Sequence, residues 1–222
     1  MAASTRILKP VHFEGPEGRL EGLWSDPGGG LSPAVICHPH PAHGGSMHSK
    51  VVHTVYRVLN HAGHPSIRFN FRGVGASQGS FSGWDGEVAD VAAAAAFARG
   101  ETGLKPIWLA GFSFGSWVGS KWALGEPPGN IERMILLGVP VDRNVDDRSF
   151  EHLDAAAKLP APILIVQGEK DQYGSPASVL ALRDRLAPRG MVEARIVEGA
   201  DHFFTGKLHQ LEAALKEGLG LS

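Results

Sequence analysis

Residues 106–116 constrain this chain more than any other stretch. Ile107-Trp108-Leu109-Ala110 is an apolar, strand-forming run. It passes directly into Gly111-Phe112-Ser113-Phe114-Gly115-Ser116, and the small residues that follow predict a helix over 114–124. A G-x-S-x-G pattern between a strand and a helix makes a sharp, strained turn with the serine at its apex. The flanking glycines suit such a turn, because backbone segments must pass where a Cβ would collide. Ser113 is then lifted off the end of a sheet with its hydroxyl exposed and a helix N-terminus behind it. The next residue, Phe114, presents a backbone N–H toward any oxyanion formed there.

A serine hydroxyl is a weak nucleophile near neutral pH. It needs an adjacent base, which in turn needs an acid to orient it. In an open α/β sheet the reacting groups lie on loops at the carboxyl ends of strands. The apolar run 162–167 ends in Gly168-Glu169-Lys170-Asp171-Gln172-Tyr173-Gly174, and the run 192–197 ends in Glu198-Gly199-Ala200-Asp201-His202-Phe203-Phe204. These loops supply Asp171 as acid and His202 as base, in the chain order Ser, Asp, His. Alone, an Asp in a glycine-bounded loop is more often a turn former, and a His beside aromatics more often a core residue. Together, on successive sheet-end loops, they form a consistent set. Glu169 and Asp201 compete with Asp171. Glu169 lies nearer its strand end, while Asp201 adjoins the base but should point elsewhere in so tight a turn.

The rest of the chain supports a single α/β domain over 1–222. Strands are predicted at 7–14, 19–25, 34–37, 66–71, 106–112, 131–139, 162–167 and 192–197. Helices are predicted at 48–62, 85–99, 114–124, 176–187 and 203–218. That alternation implies a mostly parallel sheet with helices on both faces. The segment 38–45, His-Pro-His-Pro-Ala-His-Gly-Gly, is predicted to be neither helix nor strand because its prolines remove donors. The chain has 222 residues, 43% of them hydrophobic, which is enough for a sizeable core. Its net charge of −2 gives no reason to expect nucleic acid or a membrane as partner. A lone Cys37 excludes an internal disulfide. The N-terminal residues lack the apolar core of a signal peptide, and the apolar stretch 91–98 is too short to span a bilayer, so the expected location is the cytoplasm.

The chain resembles the α/β-hydrolase superfamily across nearly its whole length. The closer resemblance is to small bacterial α/β hydrolases without a lid domain, relatives of dienelactone hydrolases and short-chain carboxylesterases. It is carried by His38-Pro39-His40-Pro41, Gly44-Gly45-Ser46-Met47, Lys50, and Arg68-Phe69-Asn70-Phe71-Arg72-Gly73-Val74-Gly75-Ala76-Ser77, together with Gly79 and the three loops above. It implies a three-layer fold with a mostly parallel sheet of about eight strands and no large lid. Dienelactone hydrolases use a cysteine where this chain has Ser113, which argues against dienelactone chemistry. The resemblance also implies a second oxyanion donor on the loop after strand 34–37. Pro39 and Pro41 have no N–H, so the backbone of His40 is the candidate beside that of Phe114.

The expected activity is hydrolysis of small or short-chain carboxylic esters through an acyl-enzyme, with no cofactor and no metal. The segment 140–161 occupies the place of a cap but is too short and polar to form one, so an open site is expected. Met47, Trp84, Phe112, Tyr173 and Phe203 are candidate pocket walls. Thioesters, lactones and small amides remain open as substrates. A homodimer remains open as well, since nothing in the sequence reads oligomeric state. Two other classes fit the sequence less well. His38, His40 and His43 have the H-x-H-x-x-H spacing of a dinuclear metal site, but Ala42 stands where a carboxylate would be expected. A non-catalytic binding module would be expected to have lost a triad member, and none is missing. Gly73-Val74-Gly75 is a weak dinucleotide signal because its third glycine would fall at Gln78, so that loop reads as structural, with Arg72 tying loops beneath the site.

Overall fold

A computed structural model describes residues 8–142 and 150–221. Eight strands form one sheet: β1 (Lys9–Gly15), β2 (Gly18–Ser25), β3 (Ala34–Cys37), β4 (Ser66–Phe69), β5 (Ile107–Phe112), β6 (Ile131–Leu137), β7 (Ile163–Gly168) and β8 (Val192–Val197). Their spatial order is β1-β2-β4-β3-β5-β6-β7-β8. β1 and β2 form an antiparallel hairpin, and β2 meets β4 antiparallel. From β4 onward every pairing is parallel.

The central strands are buried along their whole length, as parallel strands covered on both faces must be. Helices α1 (Lys50–His61) and α6 (Leu208–Leu219) cover one face, and α2 (Asp85–Thr102), α3 (Phe114–Leu124) and α5 (Pro176–Leu186) cover the other. A short α4 (Glu151–Asp154) adds Leu153 to the second face. The alanine run sits in α2, with Ala94, Ala95 and Ala98 fully buried, which brings that helix close to the sheet. No helix among the described residues is long and apolar enough to cross a membrane.

Two predicted elements differ. The 38–45 loop contains a three-residue 3-10 turn, Pro41–His43. Proline fits the first position of such a turn, where its missing N–H is no loss. The His40 Nδ1 accepts the Ala42 N–H at 3.1 Å, and Gly44, at φ 77°, ends the turn. The last helix begins at Leu208 instead of residue 203. Asp201 Oδ1 accepts the N–H groups of both Phe203 and Thr205, while Phe204 (φ 53°) and Gly206 (φ 68°) take left-handed conformations that no α-helix accommodates. Of the segment read as a short cap-site insertion, residues 143–149 lie outside the described residues.

Candidate active site

The turn between β5 and α3 explains its own glycines. Ser113 has φ 55° and ψ −119°, a strained conformation for a residue with a side chain. A Cβ on Gly111 would lie 2.6 Å from the Ser116 nitrogen, and one on Gly115 would lie 2.7 Å from the His38 carbonyl oxygen. The second contact shows how closely the loop after β3 presses on the elbow. Ser113 is the residue that opens α3, yet its side chain makes no capping bond, so the hydroxyl is left for another partner.

That partner is His202, whose Nε2 lies 3.0 Å from the Ser113 Oγ. On the other side of the ring, Nδ1 lies 2.8 Å from Asp171 Oδ2. With the serine hydroxyl donating to Nε2 and Nδ1–H donating to the carboxylate, the imidazole has one consistent neutral tautomer. Asp171 and His202 are both buried. Gly168 makes their meeting feasible. A Cβ there would stand 2.5 Å from the Ala200 oxygen and 2.6 Å from the Asp201 oxygen, so only glycine lets the β8 loop settle against the end of β7.

The structure separates the three competing acids. Asp201 caps its own loop through the Phe203 and Thr205 amides. These bonds, the Thr205 amide first, hold its carboxyl below the usual range, against the opposing effect of burial. Glu169 accepts the Gly199 N–H at 2.8 Å. Only Asp171 reaches the imidazole. Gln167, fully buried at the end of β7, completes its environment. Its Nε2 donates to Asp171 Oδ2 and to the Gly174 oxygen, both at 2.8 Å, and its Oε1 accepts the Val139 N–H at 2.7 Å. The Tyr173 N–H donates to Asp171 Oδ1 at 2.8 Å. Three neutral donors therefore hold the carboxylate in place. No motif in the sequence singles out Gln167. Its signal is a polar residue closing an otherwise apolar strand.

A cavity of about 310 Å³ opens over Ser113 and His202. Both residues proposed as backbone donors, His40 and Phe114, border it, and Phe114 begins α3, where N–H groups have no partner within the helix. Trp84, Tyr173 and Phe203 line it as expected. Met47 and Phe112 do not. Met47 is buried, held by Asn70 Oδ1 at its N–H and by Arg68 at its carbonyl. Phe112 alternates onto the α1–α6 face of the sheet and packs behind the His202 ring, 5.1 Å between centroids. Trp84 is itself strained at φ 97°, held by its N–H bond to Glu87 Oε2 and packed on Phe114 at 4.6 Å.

The histidine loop does not gather metal ligands. His38 Nδ1–H donates to the Pro39 carbonyl at 2.6 Å, and Nε2 accepts the Phe71 N–H at 3.1 Å. Both ring nitrogens are thus engaged, and burial pushes the imidazole down to about 4. Cys37 is buried, which pushes its thiol up and keeps it protonated. Arg72 grips Asp90 of α2 through Nε and Nη2 and Glu17 of the β1–β2 turn through Nη1, so it ties those elements together.

A hydrolase family model described as serine aminopeptidase, S33, matches residues 40–150. A structure described as an α/β serine hydrolase homologue from Coxiella burnetii is 35% identical, with a TM-score of 0.84 over 95% of this chain and 97% of that one. The chain belongs to the α/β-hydrolase superfamily. A Xanthomonas campestris α/β serine hydrolase described as lacking a lid is 32% identical, with a TM-score of 0.76 over 97% of this hydrolase and 94% of that one. An uncharacterized Rickettsia prowazekii protein is 34% identical over 217 residues, 96% of this chain and 89% of its own. The eight-stranded, mostly parallel sheet is the architecture the superfamily resemblance implies, and no large lid is present among the described residues, as in the Xanthomonas structure.

Proposed function

We propose that this α/β hydrolase cleaves carboxylic esters of small or short acyl groups, with Ser113 as nucleophile, His202 as general base and acid, and Asp171 as orienting acid. One observation carries the reading: the unbroken hydrogen-bond chain from Ser113 through His202 to Asp171 at the floor of the cavity. His202 takes the hydroxyl proton as Ser113 attacks the acyl carbonyl. Asp171 stabilises the imidazolium that forms. The backbone N–H groups of His40 and Phe114 receive the oxyanion, a contribution worth about 10²–10³ in turnover for one such donor. The alcohol leaves with the proton from His202, and water deacylates the enzyme by the same route.

The lining of the cavity favours an uncharged acyl group at the reacting centre. Among its described lining residues there is no Lys, Arg, Asp or Glu, and ring side chains predominate. An aminopeptidase must hold the free ammonium of its substrate, which calls for a carboxylate in the site. Esters therefore fit better than peptides, despite the name of the matching family model.

The test is intact-mass analysis after incubation with a fluorophosphonate in the presence of chelator, followed by hydrolysis of acetate, butyrate and octanoate esters. A single adduct absent from Ser113→Ala, with acetate or butyrate turned over fastest, is the expected result. Turnover retained in Ser113→Ala would overturn the assignment of the nucleophile. Faster cleavage of octanoate would overturn the short-acyl preference.

A further inference from the structure

We propose that a basic recess beside the Ser113 cavity binds a phosphate-class anion carried on the leaving side of the substrate. The substrate class this implies is a short-acyl ester or thioester whose alcohol or thiol ends in a phosphate. The inference rests on the reading of Ser113 and His202 given above.

Two depressions adjoin the Ser113 cavity, linked to it and to each other by shared wall residues. The first, about 310 Å³, shares Ser49 and Phe203 with that cavity and runs on to Leu208. The second, about 380 Å³, shares Lys50 and Leu208 with the first and ends among His48, His53, Arg57 and His209. The first depression meets the cavity at Phe203, beside His202. The Phe203 ring packs on His202 at 5.1 Å between centroids, and His202 is the group that protonates the departing atom.

The electrostatics of the recess are one-sided. No Asp or Glu is among the described residues lining either depression. Lys50 has no ion-pair partner among the described residues. Arg57 pairs with Glu212, and Glu212 is shared with Lys216, so one carboxylate serves two cations. Behind the recess, Arg68 is only 5% exposed and also has no carboxylate partner among the described residues. Its Nη1 donates to the Met47 carbonyl, its Nε has no hydrogen-bond partner among the described residues, and its guanidinium lies 5.3 Å from the Tyr56 ring centroid. Burying a cation with so little compensation is costly. Its field reaches His53, whose imidazolium is disfavoured first by burial and then by Arg68 and Arg57.

Two helix N-termini add to the same sign. α1 begins at Lys50 and α6 at Leu208, and neither has an acidic residue in its first turn. A lysine at the positive end of a helix dipole is unfavourable unless an anion lies between them. A phosphate meets that need, because its oxygens can accept from lysine, guanidinium and imidazole donors together. The Ser113 cavity, with no charged lining, could not offer this. The two halves of the site thus suit the two halves of one molecule, a neutral acyl group and an anionic tail.

The experiment compares pantetheine with 4′-phosphopantetheine, which differ only by the phosphate. Their binding is measured by calorimetry, and the kcat/KM of their S-acetyl forms is measured at low and high salt. The phosphate-bearing compound is expected to bind at least tenfold tighter and to be cleaved with at least tenfold higher kcat/KM. Both advantages should shrink in high salt and in the double variant Lys50→Ala/Arg57→Ala. Inorganic phosphate should compete with the phosphorylated thioester and spare the neutral one. Equal binding of the two compounds, or a preference that survives the double variant, overturns the proposal. So does equal inhibition of both thioesters by inorganic phosphate, which would put the anion in the Ser113 cavity. A binding preference in a protein whose Ser113 resists fluorophosphonate would leave the recess standing and remove the catalytic reading instead.

Discussion

Replacing Gln167 by methionine keeps the volume of a fully buried side chain and deletes its polar atoms. Two buried backbone groups then lose their partners, the Val139 N–H and the Gly174 carbonyl. Each unsatisfied group costs about 1–3 kcal/mol, so a loss of about 2–6 kcal/mol in stability is expected from urea denaturation. The effect on activity comes from the third bond. Asp171 loses one of its three donors, the Gln167 amide at 2.8 Å. A hydrogen bond to a charged group is worth about 1.5–3 kcal/mol, and about 1.4 kcal/mol corresponds to a factor of ten in rate. A fall in kcat of about tenfold to a hundredfold follows if this bond holds Asp171 in register with His202. KM should change little, since Gln167 does not line the cavity. The split between kcat and KM in the folded variant separates positioning from simple destabilisation. A folded Gln167→Met enzyme with kcat within twofold of the parent would falsify this reasoning.

Three further outcomes are expected. His38, held at about 4 inside the fold against 6.5 in the free residue, takes up its proton in the unfolded chain first. Its contribution is therefore intact above pH 6.5 and drains as pH falls toward 4, by up to about 3 kcal/mol, and a thermal-melt series over that range should show a shallower slope for His38→Gln. Gly115→Ala should abolish labelling by fluorophosphonate, because its Cβ would press on the Cys37 and His38 backbone and displace the loop bearing the candidate oxyanion donor; circular dichroism would separate this from global unfolding. Prolonged treatment with a strong chelator should leave ester turnover unchanged, since both ring nitrogens of His38 are engaged with backbone groups; loss of activity restored by one metal would revive the histidine-loop alternative.

Much of the molecule is legible in the chain because its causes are local. Apolar runs alternating with 3.6-residue periodicity specify strands and helices. The glycines at 111 and 115 announce a turn that nothing bulkier could make. The same logic extends to Ser113, Asp171 and His202, since parallel topology sends every strand-end loop to one edge of the sheet. Boundaries were less legible wherever side chains captured the backbone. Asp201 delays α6 by five residues, from 203 to 208, through bonds that no periodicity encodes.

What the chain alone determined is therefore the architecture and the identity of the chemistry-bearing loops. What only the tertiary structure decided is which atoms within those loops meet. Asp171 reaches the imidazole while Glu169 and Asp201 bond amides nearby. Gln167 stands behind Asp171, although nothing in its own strand marks it as more than a polar stop. Met47 and Phe112 turn away from the cavity that Trp84, Tyr173 and Phe203 enclose. The physical reason is the same in each case. Composition and period dictate which face of an element is apolar, but the direction of a single side chain at a loop depends on φ, on the neighbouring strand's register and on which donors lie within about 3 Å.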